Sequence, residues 1–192
     1  MRLFIAVDVD SIGIEKIKTL QECLRKERVD VRLTKPETWH VTLKFLGETE
    51  EKKLAQIKVA CDEIADKFTP FPLEISGVSA FPNPKMPRVL FVNLNASAGL
   101  SELVKEIENG VERLGFQKEN RPFHSHVTIA RIKDTMAFLK TAKEFMAVFS
   151  SEGEKIHHKF IATEFHLYES RLTKSGPEYM RLYSFKFCSR LH

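Results

Sequence analysis

His40-Val41-Thr42-Leu43-Lys44-Phe45 and His126-Val127-Thr128-Ile129-Ala130-Arg131 are two versions of one pattern. Side chains alternate along a β-strand, so His40, Thr42 and Lys44 are expected on one face and Val41, Leu43 and Phe45 on the other. In the second stretch His126 and Thr128 share a face, with Val127 and Ile129 opposite. One face packs and the other is left for chemistry. A His-x-Thr triplet is cheap by itself. With 7 His and 11 Thr in 192 residues, chance supplies roughly 0.4 copies. The weight therefore rests on where the two copies sit.

Outward from the first triplet, Arg2-Leu3-Phe4-Ile5-Ala6-Val7-Asp8 reads as a strand. Ser11 is placed to cap a helix outlined by Ile14, Ile17, Leu20 and Leu24. Pro36 breaks the connection, a strand covers 39–46, and Gly47-Glu48-Thr49 turns into a helix over about 50–67. A strand over 73–80 follows, then the proline-rich loop Phe81-Pro82-Asn83-Pro84-Lys85-Met86-Pro87 and a strand over 88–94. From there the order recurs: a helix over 100–114 ending at Gly115, a strand over 126–131, a helix over 135–149 and a strand over 159–168. A last strand over 179–187 follows a turn at Ser175-Gly176-Pro177. The interval from Phe4 to His40 is 36 residues and that from Phe91 to His126 is 35, which puts the triplets at equivalent places in two similar units.

This pattern predicts an α+β fold: two pseudo-symmetric lobes of mainly antiparallel sheet, helices on the outside and an active-site cleft between the lobes. The expected organisation is one bilobal domain over 1–192. It is built from a repeat of about 1–80 and 88–170, with 179–187 as a closing strand.

The 43% hydrophobic content is that of a globular protein, not a disordered one. No leader pattern and no apolar run near the roughly 20 residues of a membrane span is visible, so a soluble, unprocessed protein is expected. Cys23, Cys61 and Cys188 are odd in number and widely spaced, which argues against a disulfide framework or a thiolate zinc site and for a reducing, cytoplasmic location. The net charge of +4 permits an anionic partner without requiring one.

Paired histidines suit phosphodiester hydrolysis, which needs one proton taken from water and one given to the departing oxygen near neutral pH. Threonine hydroxyls can donate to the non-bridging phosphate oxygens, where charge grows. A strained cyclic 2′,3′-phosphate is a target that needs no metal to open. Two other classes compete. One is an RNA- or nucleotide-binding module of the same fold without turnover. The other is a metalloenzyme built on His40, His124 and His126, disfavoured because no carboxylate accompanies these histidines at ligand spacing.

Taken together, Arg2-Leu3-Phe4-Ile5-Ala6, His40-Val41-Thr42-Leu43-Lys44-Phe45-Leu46-Gly47, Phe81-Pro82, Pro87-Arg88-Val89, Phe123, His126 to Arg131, Leu167-Tyr168-Glu169-Ser170, Gly176-Pro177 and Tyr179 resemble one family across nearly the whole chain. It is the RNA 2′,3′-cyclic phosphodiesterases of the two-histidine phosphoesterase superfamily, historically called 2′-5′ RNA ligases. The resemblance implies that His40 protonates the leaving 3′ oxygen and His126 activates water, giving a 2′-phosphate. It also implies that Thr42, Thr128 and Arg131 bind the phosphate, that no cofactor or metal is needed, and that reverse ligation is minor. The implied partner is an RNA or oligonucleotide with a cyclic phosphate end, and the enzyme is expected to be a monomer without membrane attachment. Ser125 departs from the family, where proline often precedes the second histidine.

Other residues carry weaker expectations. His124 reads as a rim histidine, His157 and His158 as surface, and His166 as sheet surface or lobe packing. Lys44 reads as a solvated strand lysine on the triplet face. Arg131 lies an odd number of residues from His126, so alternation turns it away from that face unless the strand bulges. Arg88, Arg121 and Arg171 are candidates for the rim of the cleft. Phe45, Phe81, Phe123 and Tyr168 are candidates to stack on a base, with Phe45 assigned by alternation to the buried face.

Overall fold

A computed structural model of the chain describes residues 1–26, 31–95, 97–141, 143–174 and 176–188. Nine strands and five helices are found among them: β1 (Arg2–Asp8), α1 (Ser11–Lys26), β2 (Val31–Leu33), β3 (His40–Glu48), α2 (Leu54–Ala65), β4 (Phe71–Phe81), β5 (Val89–Asn95), α3 (Ala98–Glu112), β6 (His126–Ile132), α4 (Thr135–Thr141), α5 (Lys143–Glu154), β7 (His157–Ala162), β8 (Glu164–Thr173) and β9 (Gly176–Lys186). All strand pairs are antiparallel, and the class is α+β as expected.

The strands form two sheets, ordered β3-β1-β8-β9 and β2-β6-β5-β4-β7. Setting the edge strand β2 aside, the orders correspond one to one: β3 with β6, β1 with β5, β8 with β4 and β9 with β7. Two of the helices reach across to the other sheet. Helix α1 leaves β1 of the first sheet but packs on α5 and β7 of the second, while α3 leaves β5 of the second sheet and packs on α2 and β3 of the first as well as on β4 of its own. Both sheets and their helices enclose one apolar core that includes Val41, Leu43, Val127 and Ile129. Burying each such side chain stabilises the fold by about 1.5–3 kcal/mol, which holds the opposite faces of β3 and β6 toward the cleft.

Several boundaries differ from the sequence reading. The expected strand 159–168 is two strands in different sheets: β7 pairs with β4, β8 pairs with β1, and the chain crosses between them at Thr163. A continuous apolar pattern hides this, because both strands are buried on their inner sides. The expected helix 135–149 is likewise two helices, and α1 is capped by Asp10, whose Oδ1 accepts from the Gly13 N–H at 2.8 Å, not by Ser11. In the turn expected at Ser175-Gly176-Pro177, Ser175 lies outside the described residues. No helix among the described residues is long and apolar enough to cross a membrane.

Candidate functional site

Both triplets begin a strand, and both strands bulge at the same place. In β3 the register against β1 runs Ala6↔Thr42 and then Ile5↔Lys44, so Leu43 is the extra residue. In β6 the register against β5 runs Phe91↔Thr128 and then Leu90↔Ala130, so Ile129 is the extra residue. The burial sequence is the same over seven positions of the two strands. An inserted residue reverses the facing of everything after it. Lys44 is therefore not on the cleft face. It is 2% exposed, with Nζ 2.9 Å from the Glu108 carboxylate and donating to the Gln117 carbonyl at 2.6 Å. Phe45, assigned by alternation to the core, is 60% exposed and lines the cleft, as does Arg131. The bulge in β6 is held from outside: the Ile129 carbonyl accepts from the Thr34 N–H at 2.9 Å and from buried Gln21 Nε2 at 2.8 Å.

His40, Thr42, His126, Thr128 and Arg131 all line one cleft of about 500 Å³ between the sheets. A hollow of about 480 Å³ between α2 and α3 is lined by none of them. The two histidines are half-buried and each is held by the residue two before it. His126 Nδ1 lies 2.7 Å from the His124 carbonyl. A carbonyl can only accept, so Nδ1 carries the proton and the Nε2 lone pair is left for chemistry. His40 is hydrogen-bonded to the backbone of Thr38.

An aromatic cage surrounds each ring. Phe4 stacks on His40 at 4.8 Å and on Tyr168 at 5.2 Å, and Tyr179 meets His40 edge-on. Around His126, Phe81 and Phe91 stack on one another at 4.2 Å and present edges to the imidazole. Burial in these cages lowers both histidine pKa values, that of His40 to about 4. The charges beyond the cages differ. Asp8 partly offsets the burial of His40, whereas His124 and Arg131 add to the depression at His126. Asp8 is the cross-strand partner of His40. It accepts from the Tyr168 hydroxyl at 2.7 Å and pairs with Arg181, with His166 Nε2 at 3.6 Å.

This network was not apparent from the sequence, although Phe4 and Phe91, the residues that marked the repeat, prove to be the wall of each cage. Tyr168 is committed to Phe4 and Asp8 and does not present a face to the cleft. The His124 ring packs edge-on against Phe81 and Phe91 and its carbonyl holds His126, while its side chain is not part of the cleft lining. His158 is half-buried rather than on the surface, with Nε2 2.9 Å from both Asp10 oxygens. His166 is buried against Ser184. Arg171 pairs with Glu169, Arg121 lines a separate hollow beyond Phe45, Arg88 does not line the cleft, and Phe123 packs against the core. Ser125, buried just before His126, has a hydroxyl with no hydrogen-bond partner among the described residues.

Two neutral imidazoles, two hydroxyls and a guanidinium converging from matching strands can accept a proton, return one and hold an anion between them. The comparisons with known proteins point the same way. The chain is 35% identical over 186 residues to an RNA 2′,3′-cyclic phosphodiesterase of Archaeoglobus fulgidus, covering 97% of this chain and 100% of that one. It is 33% identical to the protein of the same name from Aeropyrum pernix, covering 92% and 97%. The crystal structure of TT0787 of Thermus thermophilus superposes with a TM-score of 0.78 at 26% identity, over 97% and 98% of the two chains. The model of the LigT-like phosphoesterases matches twice, at residues 7–91 and 92–179, once for each bulged His-x-Thr strand's half of the sequence, and on this evidence the chain belongs to the LigT-like phosphoesterase family.

Proposed function

We propose that this protein hydrolyses 2′,3′-cyclic phosphate ends of RNA to 2′-phosphomonoesters, with His40 as the acid and His126 as the base. The observation that carries the reading is the meeting of His40 and Thr42 with His126 and Thr128 in one cleft, from strands of matching register. Water attacks phosphorus as His126 Nε2 takes its proton. The bond from phosphorus to the 3′ oxygen breaks, and protonated His40 gives that oxygen its proton. Thr42, Thr128 and Arg131 hold the non-bridging oxygens, so the charge that grows there needs no metal. Phe45 offers an exposed ring to a base.

The flanking charges support this division of labour. Asp8 favours the protonated form of His40, and Arg131 favours the neutral form of His126. A phosphate anion entering the cleft supplies the counter-charge that burial denies to His40. The reading includes a cytoplasmic location, in keeping with the free thiols of Cys23, Cys61 and Cys188. It also includes a monomeric enzyme forming one bilobal domain, since a single chain carries both triplets. Reverse 2′-5′ ligation is a minor activity on this reading because water competes.

The test is incubation with RNA ending in a 2′,3′-cyclic phosphate in excess EDTA, beside His40→Ala and His126→Ala. The expected result is a 2′-phosphate end with the unaltered protein and almost none with either variant. Turnover that survives both substitutions, or tight binding without product, would overturn the reading, the latter in favour of a binding module.

A further inference from the structure

Beside the cleft lies a smaller pocket of about 160 Å³, lined by Arg32, Lys35 and Arg131 together with Leu33, Thr34, Thr38 and Pro177. It shares Thr34, Thr38, Arg131 and Pro177 with the main cleft, so Arg131 stands between the two spaces. Three cations line it, and no carboxylate does among the described residues. Resting on the function proposed above, we propose that this pocket binds a second phosphate of the substrate, the one attached to the 5′ oxygen of the nucleotide that carries the cyclic phosphate.

Three further observations support the assignment. Arg32 and Arg131 are direct cross-strand partners in the β2–β6 pair. Both line the pocket, so one anion there can take charge-assisted hydrogen bonds from the two guanidiniums together. The bed of the pocket is fixed. Thr34 Oγ1 donates to the Thr128 carbonyl at 2.9 Å and accepts from Trp39 Nε1 at 2.8 Å, and Thr38 Oγ1 donates to the Lys35 carbonyl at 2.7 Å. With both hydroxyls engaged in this way, recognition falls to the guanidinium and ammonium groups, which suits a phosphate. Among the described residues its outer wall also has no counterpart in the first sheet. That wall is β2, which extends only the second sheet, and Phe45 takes the place of Arg131 in the first. A phosphate held here turns the 5′ side of the RNA toward β2 and gives a symmetric cleft a direction.

The same chemistry has two sources, a 5′-monophosphate on a single nucleotide or the phosphodiester linking it to the preceding one. The experiment compares a nucleoside 2′,3′-cyclic phosphate with a free 5′-hydroxyl, the same compound bearing a 5′-phosphate, and a dinucleotide ending in the cyclic phosphate. For the unaltered protein, kcat/KM is expected to be about 10-fold or more higher on at least one of the last two, the worth of charge-assisted hydrogen bonds, with the gain in KM. Which of them benefits identifies the source. Lys35→Ala should bring that ratio close to one, Lys35→Glu should bring it below one, and Lys35→Arg should restore it. Arg32→Ala gives an independent loss.

Calorimetric binding of the nucleoside 2′-monophosphate and the 2′,5′-bisphosphate runs in parallel. A binding advantage of the bisphosphate that is lost in Lys35→Glu supports the pocket even if no substrate is turned over, an outcome that would defeat only the reaction. Equal kcat/KM on all three substrates, or an advantage that persists in both Lys35→Glu and Arg32→Ala, overturns the proposal.

Discussion

Strand β3 and strand β6 carry the same histidine, threonine and bulge, yet the residues beyond the bulge differ. After Leu43 comes a lysine driven inward onto Glu108 and the Gln117 carbonyl, then a phenylalanine at the mouth of the cleft. After Ile129 come a buried alanine and an arginine. The residue before the histidine differs too, Trp39 donating to Thr34 against Ser125, whose hydroxyl has no partner among the described residues. The shared part sets out a symmetric pair of proton carriers. The unshared part makes them unequal: a carboxylate behind one, a guanidinium beside the other, an aromatic face on one wall and a cationic pocket on the other.

The largest effects should come from breaking the symmetric part. His40→Ala and His126→Ala should each lower kcat by about 10²–10⁴-fold. They should part company on an activated phosphodiester with a p-nitrophenolate leaving group. That group departs without a proton, so it should rescue His40→Ala and leave His126→Ala impaired; equal rescue would dissolve the acid-base distinction. Lys44→Ala should cost about 3–5 kcal/mol in denaturant unfolding, because it strands Glu108 beside a buried carbonyl. The matching position in β6 is already alanine, so no such loss has a counterpart there.

Acid should also separate the halves. The unfolded His40 takes up its proton near 6.5, whereas the folded one does so near 4. Below 6.5 the unfolded chain therefore binds more protons, and stability present above that pH is lost as the pH falls toward 4, by up to about 3 kcal/mol. His126, also lowered, contributes with the same sign. His40→Gln should flatten the dependence of Tm on pH over this window, and an unchanged slope would show that the cage does not hold His40 neutral. Thr42→Val and Thr128→Val should each reduce kcat/KM by roughly 10–100-fold, the worth of a hydrogen bond to a charged group. The smallest effect is a gain. Ser125→Ala removes a buried hydroxyl that has no partner among the described residues and should stabilise the protein by about 1 kcal/mol, while Trp39→Phe in the other half should destabilise it.

Alternation alone was enough to bring His40, Thr42, His126 and Thr128 to the cleft, since they precede the bulge and the period of two still holds there. Beyond the bulge the same rule misplaced Lys44 and Phe45, and it left Arg131 undecided. A bulge in β3 leaves no mark of its own in the residues, because Leu43 and Ile129 are ordinary strand residues. The strand and helix order was readable for similar reasons of local pattern. The crossing at Thr163 was not, because one apolar run serves two sheets. The cage around His40 depends on Tyr168 and Tyr179, more than 120 residues away in sequence, and no local pattern connects them to it.

The exchange of strands and helices between the two sheets also bears on how the site comes into being. β1 pairs with β8 across some 160 residues of chain, and α1 closes over the sheet that its own strand does not join. Neither sequence half owns a complete sheet: the second sheet is filled only when β7 has been made, and the first only when β8 and β9 have followed. Contacts of such long sequence separation place this fold on the slow side for its size. Strands β8 and β9 deliver Tyr168 and Tyr179 to the cage of His40, so the imidazole is enclosed only after β9 has been made.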